Sequence, residues 1–433
     1  MRSSRVWCVS AIALCGLFVA PGRARAQQAP ATDPAAAQAL RQEISQLRAE
    51  FEARIAALEA RLSAVGGAGA PAAPAAAAPA AQVPPGAEGL GGPTGSLPVY
   101  GGASAASKVF NPDVAVIGDF LGAAGKNRVN PQPGLEMHES ELTLQAIVDP
   151  YARADFFISF GEAGVDLEEG FVTFPTLPGG LLMKVGKMRA AFGRINTQHN
   201  HVLPWTDRPL VTGNLVGGEE GIGDAGISIA RLISNPWIFL EATGEVFRGD
   251  SGDLFHASQR SDVSFVGHLR GYQDITESTN VDLGASYARG HNAEIFVPPD
   301  PGRSTTELFG VDATVRWRPL QRSIYHSFAG RFEGVVSRRG QPEGRQRATG
   351  FYLSGDYQLG RRWFTGARYD ASERADDPSA HDTGQSLVFT YWPSEFGQIR
   401  GQFRRTAYAE GVTANELLFQ FQFSIGAHGA HAF

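Results

Sequence analysis

Asn415-Glu416-Leu417-Leu418-Phe419-Gln420-Phe421-Gln422-Phe423-Ser424-Ile425, within the closing stretch Asn415 to Phe433, decides the fold. Leu417, Phe419, Phe421, Phe423 and Ile425 alternate with Leu418, Gln420, Gln422 and Ser424. A period of two sends one file of side chains into an apolar medium and the other into a polar one, the pattern of a β-strand with an oily face. The apolar file is large and unbroken, and the chain ends on an aromatic, Phe433. A water-soluble sandwich strand also alternates, so the choice between sandwich and membrane barrel rests on whether the pattern recurs upstream.

It recurs. Working back from the C-terminus, alternating segments are read near 398–408, 384–392, 363–370, 348–358, 327–337, 307–317, 279–289, 263–272, 237–247, 225–233, 181–189, 166–174, 151–161, 139–149 and 113–120, with the last at 415–427. That is roughly sixteen strands, the size of an ordinary membrane channel. Ala152, Ala154, Phe156, Ile158 and Phe160 against Arg153, Asp155, Phe157 and Ser159 illustrate the scheme, as do Phe309, Val311, Ala313, Val315 and Trp317 against Asp312, Thr314 and Arg316. The connections alternate as well, tight ones such as Asp149-Pro150 and Ser234-Asn235-Pro236 with long ones such as 193–224, 249–262, 291–306 and 339–347. Trp237, Trp317, Trp363 and Trp392 all abut the tight connections, as an interfacial aromatic girdle requires.

Composition excludes the main rivals. Only 19% of the 433 residues are charged, the net charge is −6, and no basic patch points to a nucleic-acid partner. Outside the extreme N-terminus no apolar run approaches the length of a membrane helix, so the chain spans by strands or not at all. Arg2 and Arg5 precede the apolar run Val6 to Ala20, and Ala24-Arg25-Ala26 offers the small residues a signal peptidase reads; residues 1–26 are therefore expected to be an export signal. Both cysteines, Cys8 and Cys15, lie inside it, which leaves no disulfide to the exported chain. Within 35–66, Leu40, Ile44, Leu47, Phe51, Ile55, Leu58, Leu62 and Val65 form a narrow helical seam. A periplasmic coiled coil about 35–40 Å long is expected there, with a single surface helix as the alternative. The Ala/Pro/Gly-rich stretch 67–108 reads as a linker, and 109–433 as the barrel.

The loop 193–224 holds His199-Asn200-His201, Asp207-Arg208-Pro209 and Glu219-Glu220. A loop this long in a compact protein is usually functional, and it either folds into the barrel to narrow it or caps its mouth. The inward files carry Glu141, Asp155, Glu241, Glu245, Asp282, Asp312, Glu333, Asp356 and Asp370 against Arg153, Arg270, Arg316, Arg331, Arg368, Arg400 and Arg404, with Lys184 or Lys187 as a further base. If the loop folds inward, its acids face the late-strand arginines and set up a transverse field; otherwise these charges pair along the wall. The expected constriction or selectivity residues are Arg400, Arg404, Arg368, Arg331, Lys187, Asp207, Arg208, Glu219 and Glu220. Removing Arg400 or Arg404 is expected to abolish anion preference. His199 and His201 are weak metal candidates that need Asp207 as a third ligand; loop hydrogen bonding is their other role. No catalytic constellation is found and no cofactor is expected.

Val185-Gly186-Lys187-Met188, Phe192-Gly193-Arg194-Ile195-Asn196, His199-Asn200-His201, Asp207-Arg208-Pro209 and the closing Gly426-Ala427-His428-Gly429-Ala430-His431-Ala432-Phe433 resemble a broad group of bacterial outer-membrane porins related to the phosphate-selective porins. The closing aromatic is similar to the one that outer-membrane assembly machinery reads. The resemblance implies a sixteen-stranded trimeric channel, seated in outer-membrane lipid, that passes small hydrophilic solutes, with anions such as phosphate in its range. The chain has four lysines, Lys108, Lys126, Lys184 and Lys187, where the phosphate channels have lysine clusters and arginine ladders. The combined expectation is an all-β, about 16-stranded antiparallel transmembrane β-barrel with an N-terminal α-helical coiled coil. A structural alternative makes the barrel an anchor and the coiled coil a tether to peptidoglycan.

Overall fold

Strands whose apolar residues point one way and polar residues the other need two different solvents, and they must also satisfy every backbone N–H and C=O. In lipid only a sheet closed on itself does both. A computed structural model describes residues 112–426 apart from 163, 219, 253, 293–295, 298–299, 302–303 and 342–343. The expected signal 1–26, coiled coil 35–66 and linker 67–108, together with Glu219 and the terminal 427–433, lie outside the described residues.

In chain order the strands are β1 (Asp113–Lys126), β2 (Leu135–Asp149), β3 (Ala152–Gly161), β4 (Gly164–Leu177), β5 (Leu181–Arg189), β6 (Gly223–Leu232), β7 (Phe239–Phe247), β8 (Ser264–Thr276), β9 (Thr279–His291), β10 (Phe296–Val297), β11 (Asp300–Pro301), β12 (Thr305–Trp317), β13 (Phe328–Gln341), β14 (Gly344–Gly360), β15 (Trp363–Glu373), β16 (His381–Ser394), β17 (Gly397–Ala407) and β18 (Thr413–Gly426). All but the two-residue ladder β10–β11 join one closed antiparallel barrel of sixteen strands. The seam is β1 against β18, with Val116 opposite Ile425 and Phe120 opposite Phe421.

Burial is inverted relative to a water-soluble protein. On β18 the apolar Leu417 is 62% exposed, whereas the polar Gln420 is 1% exposed. The same holds around the ring: Phe156, Ile229, Leu269, Val311, Leu353 and Leu387 all lie open on the outside. Such an apolar band is a surface for hydrocarbon, not water. Trp317 ends β12, Trp363 begins β15 and stacks on Tyr391 at 4.1 Å, and Trp392 lies near the end of β16, all at the end of the barrel with the tight turns.

Each segment read from the sequence is a strand, and most run further than the alternation of large apolar residues shows. The stretch 339–347, read as a long loop, is mostly strand, because β13 runs to Gln341 and β14 starts at Gly344. Above the lipid both files are polar, so the periodicity vanishes while the hydrogen-bond ladder continues. Two irregularities matter below. On β2 the register slips between Asp119–Glu139 and Phe120–Met137, leaving His138 as an extra residue. On β4 it slips between Phe157–Glu169 and Ile158–Leu167, leaving Glu168 as one.

The inward file is not uniformly wet. Residues 190–222 enter the barrel, and Phe192, Ile195, Leu203, Trp205, Val211, Leu215 and Ile222 pack with wall residues that include Met188, Phe247, Leu308, Val335 and Tyr352. Burying each such side chain contributes about 1.5–3 kcal/mol, which holds the segment inside.

The lipid-facing assignment predicts a depth-dependent penalty. Leu387 sits at the middle of β16 and is exposed. Leu387→Arg should lower the stability of barrels folded into vesicles by about 2–4 kcal/mol in a urea titration, while Leu387→Phe should be close to neutral.

Candidate functional site

The segment between β5 and β6 crosses the lumen, and its neck is closed by one side chain. Asn196 Nδ2 donates to Ala190 O (2.8 Å) and Ile222 O (2.9 Å), and its Oδ1 accepts from Ile222 N (2.8 Å). Gly221 has φ of 64° and lies so close to Asn196 that a Cβ would collide with the amide. At Gly193, φ 59°, a Cβ would meet the Glu333 carboxylate, and that carboxylate accepts the next two backbone N–H groups, Arg194 and Ile195, at 3.2 Å each. Glutamates at the wall therefore take the place of a cap for a loop that has little secondary structure: a 3₁₀ turn at Asn200–Val202 and the short helix α1 (Leu210–Leu215).

From the neck the loop reaches two walls of opposite character. Asp207 meets the arginine wall. Its Oδ2 accepts from Arg368 Nη2 (2.9 Å) and Arg404 Nη1 (3.0 Å), and its Oδ1 from Gln402 Nε2 (2.5 Å). Burial alone would push the Asp207 carboxyl up, but the two guanidiniums, with the Gln402 hydrogen bond, outweigh it and hold the group at about 2. Arg368 also pairs with Asp370 (2.7 Å) and lies over the Trp205 ring, and Arg404 pairs with Glu416 (2.8 Å). Arg400 donates to Trp205 O (3.0 Å) and Gln420 Oε1 (2.6 Å).

His199 meets the acid wall. Its Nδ1 lies 3.0 Å from Glu141 Oε2 and 2.9 Å from Glu168 Oε2, and its Nε2 lies 2.8 Å from Glu169 Oε1. Burial opposes protonation of the ring, but these three carboxylates win and raise its pKa well above the ordinary value; His201, also buried, is lowered by its desolvation. Asp207 is held by β15 and β17, so it is not the third ligand expected for a histidine metal site; glutamates of β2 and β4 occupy that place.

A third set faces water. Asp282 is ringed by Arg270 (2.7 Å), Arg194 (3.7 Å) and Arg316 (3.8 Å), and Arg331 pairs with Asp356. Burial and the like charge of Arg316 lower the Arg194 guanidinium from its usual range, a sign of crowded cations. The Arg270 side chain is 39% exposed and Arg316 24%, against 4% for Asp282, so within this cluster the guanidiniums are more exposed than the carboxylate they share, with Glu241 and Asp312 also near Arg270.

Several expected site residues fall elsewhere. Lys187 does not join the loop network; its ammonium pairs at 3.4 Å with Asp166 in an exposed position. Arg208 binds the loop itself, through Asn200 Oδ1 (2.8 Å), Ile195 O (3.2 Å) and Gln198 O (2.6 Å). Glu220 is exposed and contributes its carbonyl to Arg189. Arg368 and Arg404 face the loop acid as expected, but they are neutralised by direct pairing instead of setting up a field across an open gap. Asn196, Glu168, Glu169 and Arg194 were missed as site residues. The adjacent glutamates could not both be assigned inward without knowing that β4 is bulged.

With this geometry in hand the relatives can be placed. No family model matches the chain. An uncharacterized protein of Aquifex aeolicus is 30% identical over 389 residues, covering 75% of this chain and 81% of the relative. The chain belongs to that protein's family. Among solved structures the fold is similar to an anion-selective porin from Comamonas acidovorans (TM-score 0.51, 11% identity, 73% of this chain and 99% of that one). It is also similar to OprB of Pseudomonas putida (TM-score 0.51, 10% identity, 73% and 94%), and to a loop-deletion mutant of OmpT, an outer membrane protein of Vibrio cholerae (TM-score 0.51, 9% identity, 73% and 99%). The shared feature is the sixteen-strand closed barrel.

Asp207 is the loop's pin on the arginine wall. Asp207→Asn removes the loop's charged hydrogen bonds to Arg368 and Arg404, which keep Asp370 and Glu416 as partners; the loss, about 1.5–3 kcal/mol per charged bond, should make residues 190–222 susceptible to proteinase K at neutral pH while the barrel stays intact. Because the carboxyl is depressed, its contribution is complete above the ordinary value of 3.8 and disappears as the pH falls through about 2. Pepsin should therefore cut the loop at pH 2 and spare it at pH 4.

Proposed function

We propose that the protein is an outer-membrane porin: a passive, water-filled channel for small hydrophilic solutes, constricted by residues 190–222 and mildly selective for anions. The observation that carries this is the cluster of Arg194, Arg270, Arg316 and Arg331, whose guanidiniums stand over Asp282 and Asp356 and face the lumen water. Ions crossing a narrowed, low-dielectric opening respond to the nearest unscreened charge. The apolar exterior supports a bilayer location, and the resemblance drawn from the sequence supports a homotrimer in the outer membrane. Among the described residues the lysines are Lys126, Lys184 and Lys187, with Lys184 over the Phe171 ring, so small anions in general fit this lumen better than a phosphate-specific ladder.

Planar-bilayer recording in a salt gradient tests the reading. Purified protein should give discrete conducting steps with a reversal potential on the anion side. Arg316→Ala should lower the anion-to-cation permeability ratio roughly two- to fivefold, the equivalent of about 0.5–1 kcal/mol for one partly screened charge. Arg404→Ala should alter current noise through the loop and leave the ratio unchanged, because its charge is already paired. Absence of steps would end the channel reading, and a ratio indifferent to Arg316 would remove it from the selectivity region.

A further inference from the structure

The acid wall holds more negative charge than its neighbours balance. Glu141 on β2 and Glu168 and Glu169 on β4 converge on His199, Glu139 on β2 faces His201, and one guanidinium, Arg189, lies 2.9 Å from Glu168. Four carboxylates thus share one guanidinium and the imidazoles in a buried site, and burying charge without compensation is costly. Two bulges build this arrangement. In a regular strand one of two successive glutamates would face lipid; the extra residue on β4 turns both Glu168 and Glu169 inward, and the one on β2 lets His138 accompany Glu139. Bulges re-aim side chains next to functional sites.

We infer that His199, Glu141 and Glu168 bind a divalent transition-metal ion of the Zn²⁺ class, with His201 and Glu139 placed to complete its coordination. Such ions hold imidazole nitrogen and carboxylate oxygen at about 2.0–2.2 Å, so donors around one ion stand roughly 3.0–4.2 Å apart. The separations here are 2.9 and 3.0 Å from His199 Nδ1 to Glu168 and Glu141, and 3.8 and 3.9 Å from His201 Nδ1 to Glu141 and Glu139. Both donor triads, Glu141–Glu168–His199 and Glu139–Glu141–His201, share Glu141. Glu139 is itself buried, and its Oε1 has no hydrogen-bond partner. On the far side of the His199 ring, Nε2 is held by Glu169 at 2.8 Å, the carboxylate–histidine arrangement that orients a metal-bound imidazole and makes it more basic. An ion in place of the Nδ1 proton adds one positive charge to the site. It also ties the loop to β2 and β4, a second anchor besides the pin at Asp207. The mixed imidazole and carboxylate donors suit Zn²⁺, Mn²⁺ or Co²⁺ over Mg²⁺ or Ca²⁺.

The inference does not depend on conduction. Untagged protein in detergent, stripped with a chelator and dialysed against Zn²⁺, should retain about one ion or more per chain, and X-ray absorption at the zinc edge should show imidazole scattering. Co²⁺ in its place should give visible d–d bands. Glu141→Gln and His199→Gln should weaken binding roughly tenfold or more, with Glu168→Gln as the milder variant and the heat-modifiable gel band as the check that the barrel has formed. The double variant His428→Ala/His431→Ala should bind as the parent does, which separates the site from the C-terminal histidines. If the variants do not fold, the wild-type measurement decides: no retained ion, or an ion with oxygen donors alone, overturns the inference and leaves a cluster held by protons.

Discussion

The pairing of β1 with β18 is the constraint on which the rest of the molecule depends. An open sheet in hydrocarbon would leave two edges of unpaired amides, each costing several kcal/mol, and the outward file of Phe and Leu would have nowhere to go in water. Closure satisfies the ladder and, at the same time, creates an enclosed interior that the sequence must fill. The inward file is mostly polar, so it cannot collapse on itself as an apolar core does. What fills it here is a loop that carries its own apolar residues and its own counter-charges.

That loop is electrically polarised. His199 and Asp207, eight positions apart, meet walls of the opposite sign, β2 and β4 on one side and β15 and β17 on the other. Reversing the loop would bring Asp207 to four glutamates and His199 to three arginines, so the charges select one orientation where apolar packing alone would tolerate others. The cost of this device is that the strongest arginines on the wall are no longer available to passing solutes. Selectivity is left to cations with more distant partners, Arg194 and Arg316, which retain solvent contact.

The barrel was legible because lipid imposes a period of two that any strand must display. Phe419, Phe421 and Phe423 against Gln420 and Gln422 display that period, and its recurrence upstream makes the strand part of a barrel. The strand ends were not legible where they leave the bilayer, since water on both faces removes the reason to alternate, as at 339–347. The loop's entry was readable as a length, and Asp207 and the late arginines as partners. Their outcome, pairing in place of a field, depends on a 2.9 Å approach that no spacing encodes. The acid wall was hidden for a different reason. Glu168 and Glu169 are adjacent, and period-two reasoning must send one of them outward; a single inserted residue reverses that assignment while leaving the pattern on either side of it intact.

The two bulges also bear on how the interior can be charged on one side without destabilising the barrel. A bulge breaks the ladder locally and increases twist, which is tolerable only where neighbours restore the lost pairing. On β4 the Glu169 carboxylate does so by accepting from Arg189 N of the adjacent strand at 3.0 Å, and Arg189 in turn reaches Glu168. The side chains that the bulge turns inward are therefore the same ones that repair the ladder. Replacing them with apolar residues would relieve the charge and at once orphan the Arg189 amide, so the acid wall is tied to the strand geometry that presents it. A site built this way is harder to lose by stepwise substitution than one hung on a surface loop, because Glu169 has a backbone task in addition to holding His199.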